Sequence, residues 1–228
     1  MNYSTNHSGT HWLSPTDRSY IFPPVENALV EPDGLLAVGG DLSPKRILSA
    51  YQQGVFPWYS HGQPILWWSP DPRAVIFPDK LKISRSLRKT LNKKIFQVCH
   101  DVAFNQVINA CATTLRHGQD GTWITTEMKQ AYICLHEMGY AHSVESWLDG
   151  ELVGGLYGLR IGQVFFGESM FSHRADASKV AFVSLVRSLQ EDGVKLIDCQ
   201  VSSAHLTSLG AEEIPRQYFI ELLRQYAG

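Results

Sequence analysis

The run Leu196-Ile197-Asp198-Cys199-Gln200-Val201 sets a carboxylate and an amide two positions apart in an otherwise apolar segment. In an extended strand alternate side chains share a face, so Asp198 and Gln200 are expected together, with Ile197, Cys199 and Val201 opposite. Buried polar groups need partners, either a ligand or bonds within the fold; in the plainer case Asp198 bonds turn amides and Gln200 the neighbouring strand. A second carboxylate, Glu168, stands in Gly167-Glu168-Ser169-Met170-Phe171-Ser172, where a Phe-rich strand gives way to small polar residues. That change marks a pocket mouth; the alternative is a strand-end carboxylate in water. Aromatic rings recur in Phe56-Pro57-Trp58-Tyr59, Trp67-Trp68 and Gly121-Thr122-Trp123-Ile124-Thr125. Trp58, flanked by Pro, and Trp123, in a Gly-containing turn, are the two best placed to stack on unpaired bases, an interaction worth about 1–3 kcal/mol per base. Lys80, Lys82, Arg85, Arg88, Lys89, Lys93 and Lys94 fall within fifteen residues. They form either a basic binding patch or a solvated helix face.

These groups need elements to position them. Residues 1–20 read as a flexible leader, 21–73 as a small domain dense in Pro, Gly and Trp, and 74–228 as a larger one. The small domain holds one clear helix, about Pro44 to Gln53, with Ser43 as N-cap and Gly54 as the left-handed stop. Beyond the basic segment, Phe96 to Cys99 is a strand. Helical spacing of Phe104, Val107, Ile108 and Cys111, and then of Met128, Ala131, Tyr132 and Leu135, predicts two helices lying on a sheet. Strands from Ser143 to Leu148, Leu152 to Leu159 and Val164 to Glu168 are joined by Asp149-Gly150 and a turn at Gly162, an antiparallel meander. A helix from about Ser178 to Gln190 then crosses to the strand Lys195 to Val201, and helices near Ala204 to Leu209 and Tyr218 to Tyr226 end the chain. The order is α+β, of the type used by N-acetyltransferases.

Composition sets outer limits. The chain has 228 residues, 44% apolar, enough to bury a sizeable core, and a net charge of -2 that argues against a general nucleic-acid coat protein. Cys99, Cys111, Cys134 and Cys199 form no CxxC pair and no metal-ligand spacing, so they read as buried thiols in a reducing compartment. Without a signal sequence or eighteen consecutive apolar residues, the protein is expected to be soluble and cytoplasmic, with no membrane partner. No GxxxxGK[ST] loop and no GxSxG elbow occurs. An acyl-CoA enzyme of the N-acetyltransferase type carries a glycine-rich pyrophosphate loop before its crossover helix. Here that place reads Ser172-His173-Arg174-Ala175-Asp176-Ala177-Ser178, whose side chains and added Asp would obstruct and repel a pyrophosphate.

Six segments then carry a resemblance: Pro32 to Leu42, Gly54 to Trp58, Leu66 to Arg73, Gly121 to Thr125, Gly167 to Ser172 and Leu196 to Gln200. In this order they closely resemble the leucyl/phenylalanyl-tRNA-protein transferases, enzymes that add Leu or Phe to the N-terminal Arg or Lys of target proteins. The resemblance runs from about Phe22 to Tyr226. It implies a small N-terminal domain beside a C-terminal N-acetyltransferase-like (GNAT) domain with a mixed, largely antiparallel sheet and flanking helices.

The resemblance further implies no cofactor and no metal, because the donor ester on the tRNA 3' adenosine is already activated. Leu or Phe, with Met a further candidate donor, would pass directly to the acceptor amine and mark the product for N-end-rule degradation. By the same carry-over Asp198 and Gln200 orient the acceptor amine and assist its deprotonation, Asp198 as general base or as electrostatic orienter. Glu168 belongs to the acceptor site; Leu156, Phe165, Met170 and Ile197 line the donor side-chain pocket. Ile197 conflicts with strand alternation unless both sheet faces contribute or the strand end twists. The 3' adenosine is expected at Tyr51, Trp58 and Trp123, and acceptor-stem phosphates at the basic run. Two rival readings are a small-molecule N-acyltransferase and a non-catalytic RNA-binding protein.

Overall fold

The computed structural model describes residues 10–114 and 123–228. The start of the expected leader, and Gly121 and Thr122 of the Trp123 motif, lie outside them. With strands and helices numbered in chain order, β1 (His11–Leu13), β2 (Leu35–Gly39), β3 (Phe56–Pro57) and β4 (Leu66–Trp68) make a small sheet in the order β1-β2-β4-β3. The strand β1 corrects the expectation of a leader flexible through residue 20. It pairs in parallel with β2, Leu13 is buried, and Arg46 Nη2 donates to the carbonyls of Ser14 and Asp17. The helix α1 (Pro44–Gln52) follows Ser43 as expected, although the Ser43 hydroxyl does not cap it. Asp41 instead accepts the Ser43 N–H at 2.8 Å.

The second sheet has seven strands: β5 (Arg73–Ile76), β6 (Gln97–His100), β7 (Ala141–Leu148), β8 (Glu151–Ile161), β9 (Val164–Ser172), β10 (Leu196–Gln200) and β11 (Glu212–Ile214). Their order is β11-β5-β10-β9-β8-β7-β6, and within it β9–β10 is the one parallel pair. The helices are α2 (Arg85–Lys93), α3 (Phe104–Thr113), α4 (Thr126–Glu137), α5 (Ala177–Glu191), α6 (Ala204–Ser208) and α7 (Arg216–Tyr226). The meander, the crossover helix α5 and the return strand β10 match the sequence reading; β5 and β11 escaped it. All four residues of β5 are buried, so no alternation shows, and the preceding Pro70-Asp71-Pro72 masks its start.

Two apolar layers cover the large sheet. On one face the expected stripes of α3 and α4, including Phe104, Val107, Met128, Tyr132 and Leu135, pack with Tyr157, Phe166 and Phe171. The small sheet and α1 join this layer through Tyr51, Phe56 and Trp67, so the two parts of the chain share one core. The Tyr51 ring meets the Phe166 ring edge-on at 4.9 Å. On the other face α5 lays Val180, Phe182, Leu185 and Leu189 against Leu156, Phe165 and Ile197, and α2 closes over it through Leu87. Fully burying one such side chain stabilises the fold by about 1.5–3 kcal/mol. The protein is an α+β fold, a mixed, largely antiparallel sheet between helices with a small N-terminal sheet alongside.

Candidate active site

Two irregularities at one level of the sheet create the site. In β9, Ser169 pairs with Tyr157 and Gly167 with Gly158, so Glu168 is an extra residue with no partner in the ladder. Such a bulge reverses the alternation of faces. Phe165 before it and Met170 after it therefore point to the same side despite their odd spacing. In β10, Asp198 pairs with Val75 and Gln200 with Ala74, leaving Cys199 as the extra residue and Gln200 at φ 64. The parallel pairing of β9 with β10 ends at Asp198 opposite Phe166. Beyond that point lies a cavity of about 460 Å³ on the α5 side.

Leu156, Phe165, Met170 and Ile197 all line this cavity, together with Glu168. The conflict over Ile197 is thereby resolved: Ile197 faces the cavity and Asp198 faces the opposite layer. Sequence reasoning missed Phe182 and Leu185 of α5, Cys199 in the bulge, and His205 and Leu206 beyond it, which add to the wall. For the α5 pair a signal existed, since both belong to that helix's apolar stripe. Cys199 is no ready nucleophile: burial, and then the Asp198 charge, push its thiol far up.

Asp198 does not share an open surface with Gln200, contrary to simple alternation. It has no exposed surface, and its carboxylate is gripped by Arg73, Nε to Oδ1 at 2.8 Å and Nη2 to Oδ2 at 2.7 Å. Asp198 Oδ1 also accepts the Gln200 N–H at 2.9 Å, a bond that steadies the left-handed backbone there. Arg73 is itself wholly buried, sandwiched between the rings of Phe56 and Phe219 and donating to the Gly54 carbonyl. Its role was missed although the motif containing it was noted. The signal was a charge abutting the apolar run Ala74-Val75-Ile76, which demands a buried counter-charge.

Glu168 sits in the gap between the strands and is held from three elements. Its Oε1 accepts from the Tyr51 hydroxyl at 2.5 Å and Gln200 Nε2 at 3.0 Å, and its Oε2 from the Tyr132 hydroxyl at 2.9 Å. Burial raises the carboxyl to about 7, the two tyrosine bonds opposing and the Asp198 charge adding to it. Burial and the Glu168 charge in turn push both phenols well above their usual range, so they stay protonated donors.

This corrects the expectation for Tyr51. With no exposed surface and its hydroxyl within 2.6 Å of that of Tyr132, it cannot stack on a base. Trp58 is 41% exposed, its ring leaning on Trp68, whereas Trp123 is half-buried against the core. Neither lines the cavity. In the basic run Lys80 is tied to Glu212 at 2.8 Å. Lys82, Arg85, Arg88, Lys89, Lys93 and Lys94 are exposed.

Comparison with known proteins adds to this geometry. Residues 75–224 match the family model of the leucyl/phenylalanyl-tRNA protein transferase, and residues 40–71 match the model of the N-terminal domain of the same transferase. The chain belongs to this family. It is accordingly an enzyme of the aminoacyltransferase class. Two leucyl/phenylalanyl-tRNA--protein transferases illustrate the likeness. That of Nitrosomonas eutropha is 63% identical over 202 residues, covering 89% of this chain and 86% of that one. That of Stutzerimonas stutzeri is 60% identical over 215 residues, covering 94% of each. Among solved structures, a GCN5-related N-acetyltransferase from Kribbella flavida aligns over 74% of this chain and 59% of that one, with a TM-score of 0.37 and 13% identity, too distant to add to the topology. The two family models meet between residues 71 and 75. Arg73 falls between the two matched stretches, and its buried pair with Asp198 ties that junction to β10.

Proposed function

We propose that the chain moves Leu or Phe from aminoacyl-tRNA to the N-terminal α-amino group of proteins beginning with Arg or Lys, in the cytoplasm, by direct aminolysis of the tRNA ester. One observation carries the reading: a largely apolar chamber whose wall, among the described residues, holds one carboxylate, Glu168. Its volume falls within the range of small-ligand sites, about 300–1,000 Å³. Leu156, Phe165, Met170 and Ile197 suit an apolar donor side chain. The flexible Met170 and the modest worth of one methylene, about 1–3 kcal/mol, suit acceptance of both Leu and Phe. Glu168 supplies negative charge for a cationic acceptor. Asp198, locked by Arg73, acts as orienter: it holds the backbone of Gln200, whose amide in turn holds Glu168. The donor ester needs no further activation, and fixing amine and ester in attack geometry contributes up to about 7–11 kcal/mol. The test is transfer of labelled Leu or Phe from charged tRNA to a peptide starting with Arg or Lys. The expected result is peptide labelling without added cofactor; labelling from acyl-CoA and none from tRNA would overturn it.

The exposed α2 cations would meet the acceptor-stem phosphates, and Trp58 and Trp123 the 3' adenosine. Phosphate contacts carry little sequence information, which suits an enzyme accepting several tRNAs. Replacing Arg88 and Lys89 together by Ala is expected to weaken tRNA binding and to flatten the slope of log K against log salt by about 1.5–2, one counterion per lost contact. An unchanged slope would make the run a solvated helix face.

A further inference from the structure

Resting on the transfer reading above, we propose that Glu168 is the base of the reaction: its carboxylate takes a proton from the acceptor α-ammonium group and passes it to the departing ribose oxygen. The surroundings of the two carboxylates carry this. Asp198 is closed, with both oxygens occupied by Arg73 and no exposed surface. Glu168 is the one carboxylate on the cavity wall among the described residues. Its Oε1 already accepts two bonds, whereas Oε2 accepts from Tyr132 alone, which leaves a lone-pair direction for an incoming ammonium group. The groups facing it are Tyr51 on α1, Tyr132 on α4, and Gln200 and Asp198 on β10, the last neutralised by Arg73 on β5; Tyr157 on β8 packs behind Tyr132, and His205 on α6 shares the cavity wall, its burial favouring the neutral imidazole. No cation in this set competes for the carboxylate. A carboxyl that titrates near 7 is matched to an N-terminal amine, whose usual value is about 8, as an ordinary carboxyl is not.

The step balances. The ammonium N–H bond breaks, the proton goes to Glu168, and the freed nitrogen pair attacks the ester carbonyl carbon to form the C–N bond. As the carbonyl reforms, the carbon–oxygen bond to the ribose breaks and its oxygen leaves as a hydroxyl with the Glu168 proton. The new amide nitrogen then loses its second proton to the carboxylate, which releases it to water. Glu168 is unchanged, and the products are an amide, the free 3' end of the tRNA and one proton.

The experiment measures kcat and acceptor KM against pH for the wild type, Glu168→Gln and Tyr132→Phe, at saturating Phe-tRNA with an Arg-initiated peptide. Glu168→Gln is expected to lose about 10²–10⁴-fold in kcat at pH 7, with tRNA binding retained. The deficit should shrink above the amine's pKa of about 8, where the acceptor arrives neutral. Tyr132→Phe removes a bond to the charged carboxylate, so the limb along which kcat rises with pH should move to higher pH. A Glu168→Gln enzyme that raises only acceptor KM, or a deficit that is the same at every pH, would overturn the proposal and leave Glu168 as a charge that merely holds the acceptor. If Glu168→Gln does not fold, Tyr132→Phe decides: an unmoved limb sinks the idea. Absence of transfer by the wild type itself would instead sink the parent reading.

Discussion

Asp198→Ala is expected to cost about 3–5 kcal/mol of folding stability and to abolish transfer, with the two losses sharing one cause. Arg73 and Asp198 are both wholly buried, so removing the carboxylate strands a guanidinium between Phe56 and Phe219 with only the Gly54 carbonyl as partner. Domains of this kind have about 5–15 kcal/mol to lose, so the variant stands near the folding threshold. The same change frees the Gln200 N–H, releasing the bulge that holds its side chain on Glu168. Urea denaturation and transfer assays on Asp198→Ala, Arg73→Met and the combination Arg73→Met with Asp198→Leu separate the effects. The double variant has no stranded charge and should recover much of the stability, yet no transfer, because the Gln200 anchor is still missing. Recovery of transfer in the double variant would show that the pair serves only the fold.

The second large effect is expected at Gly158, opposite the β9 bulge. A Cβ there would lie 2.2 Å from the Phe166 carbonyl oxygen and 2.6 Å from the Phe165 ring. The first contact is with backbone, so no rotamer change relieves it. Gly158→Ala should destabilise the fold by about 1–3 kcal/mol or more, and should lower kcat/KM for Leu and Phe donors alike by displacing the Phe165 wall. Gly167→Ala is the control. Its Cβ would meet only the Asp198 carbonyl oxygen, at 3.5 Å, so stability should change by less than about 0.5 kcal/mol. Equal destabilisation by the two alanines, in matched thermal and urea unfolding, would contradict the account of the bulge.

The contrast between these two glycines shows where reading the chain succeeds. Helices α3, α4 and α5 were legible because each repeats an apolar stripe at helical spacing, a property of residues three and four apart. The meander was legible because alternation and the Asp149-Gly150 turn are equally local. The pocket residues and Glu168 entered through their motifs, and the cavity does bring the four apolar ones together. Strand β5 was hidden because a short strand buried on both faces shows no alternation, and β11 because three residues, two of them exposed, are too few to show a period.

What the sequence determined by itself is therefore the α+β order of elements, the positions of the apolar stripes, and a set of motifs specific enough to name the family. The tertiary structure alone decided how the polar residues are used. Alternation placed Asp198 beside Gln200 on one surface, but a ladder mismatch with β5 inserted Cys199 and turned that geometry aside. Tyr51 was expected at the 3' adenosine and is instead a buried donor to Glu168. Arg73 and Asp198 are 125 positions apart and meet only when β5 pairs with β10. Spacing along a chain encodes period and therefore face; it carries no record of a bulge, which arises from the pairing of two strands, nor of which distant charge will neutralise a buried one.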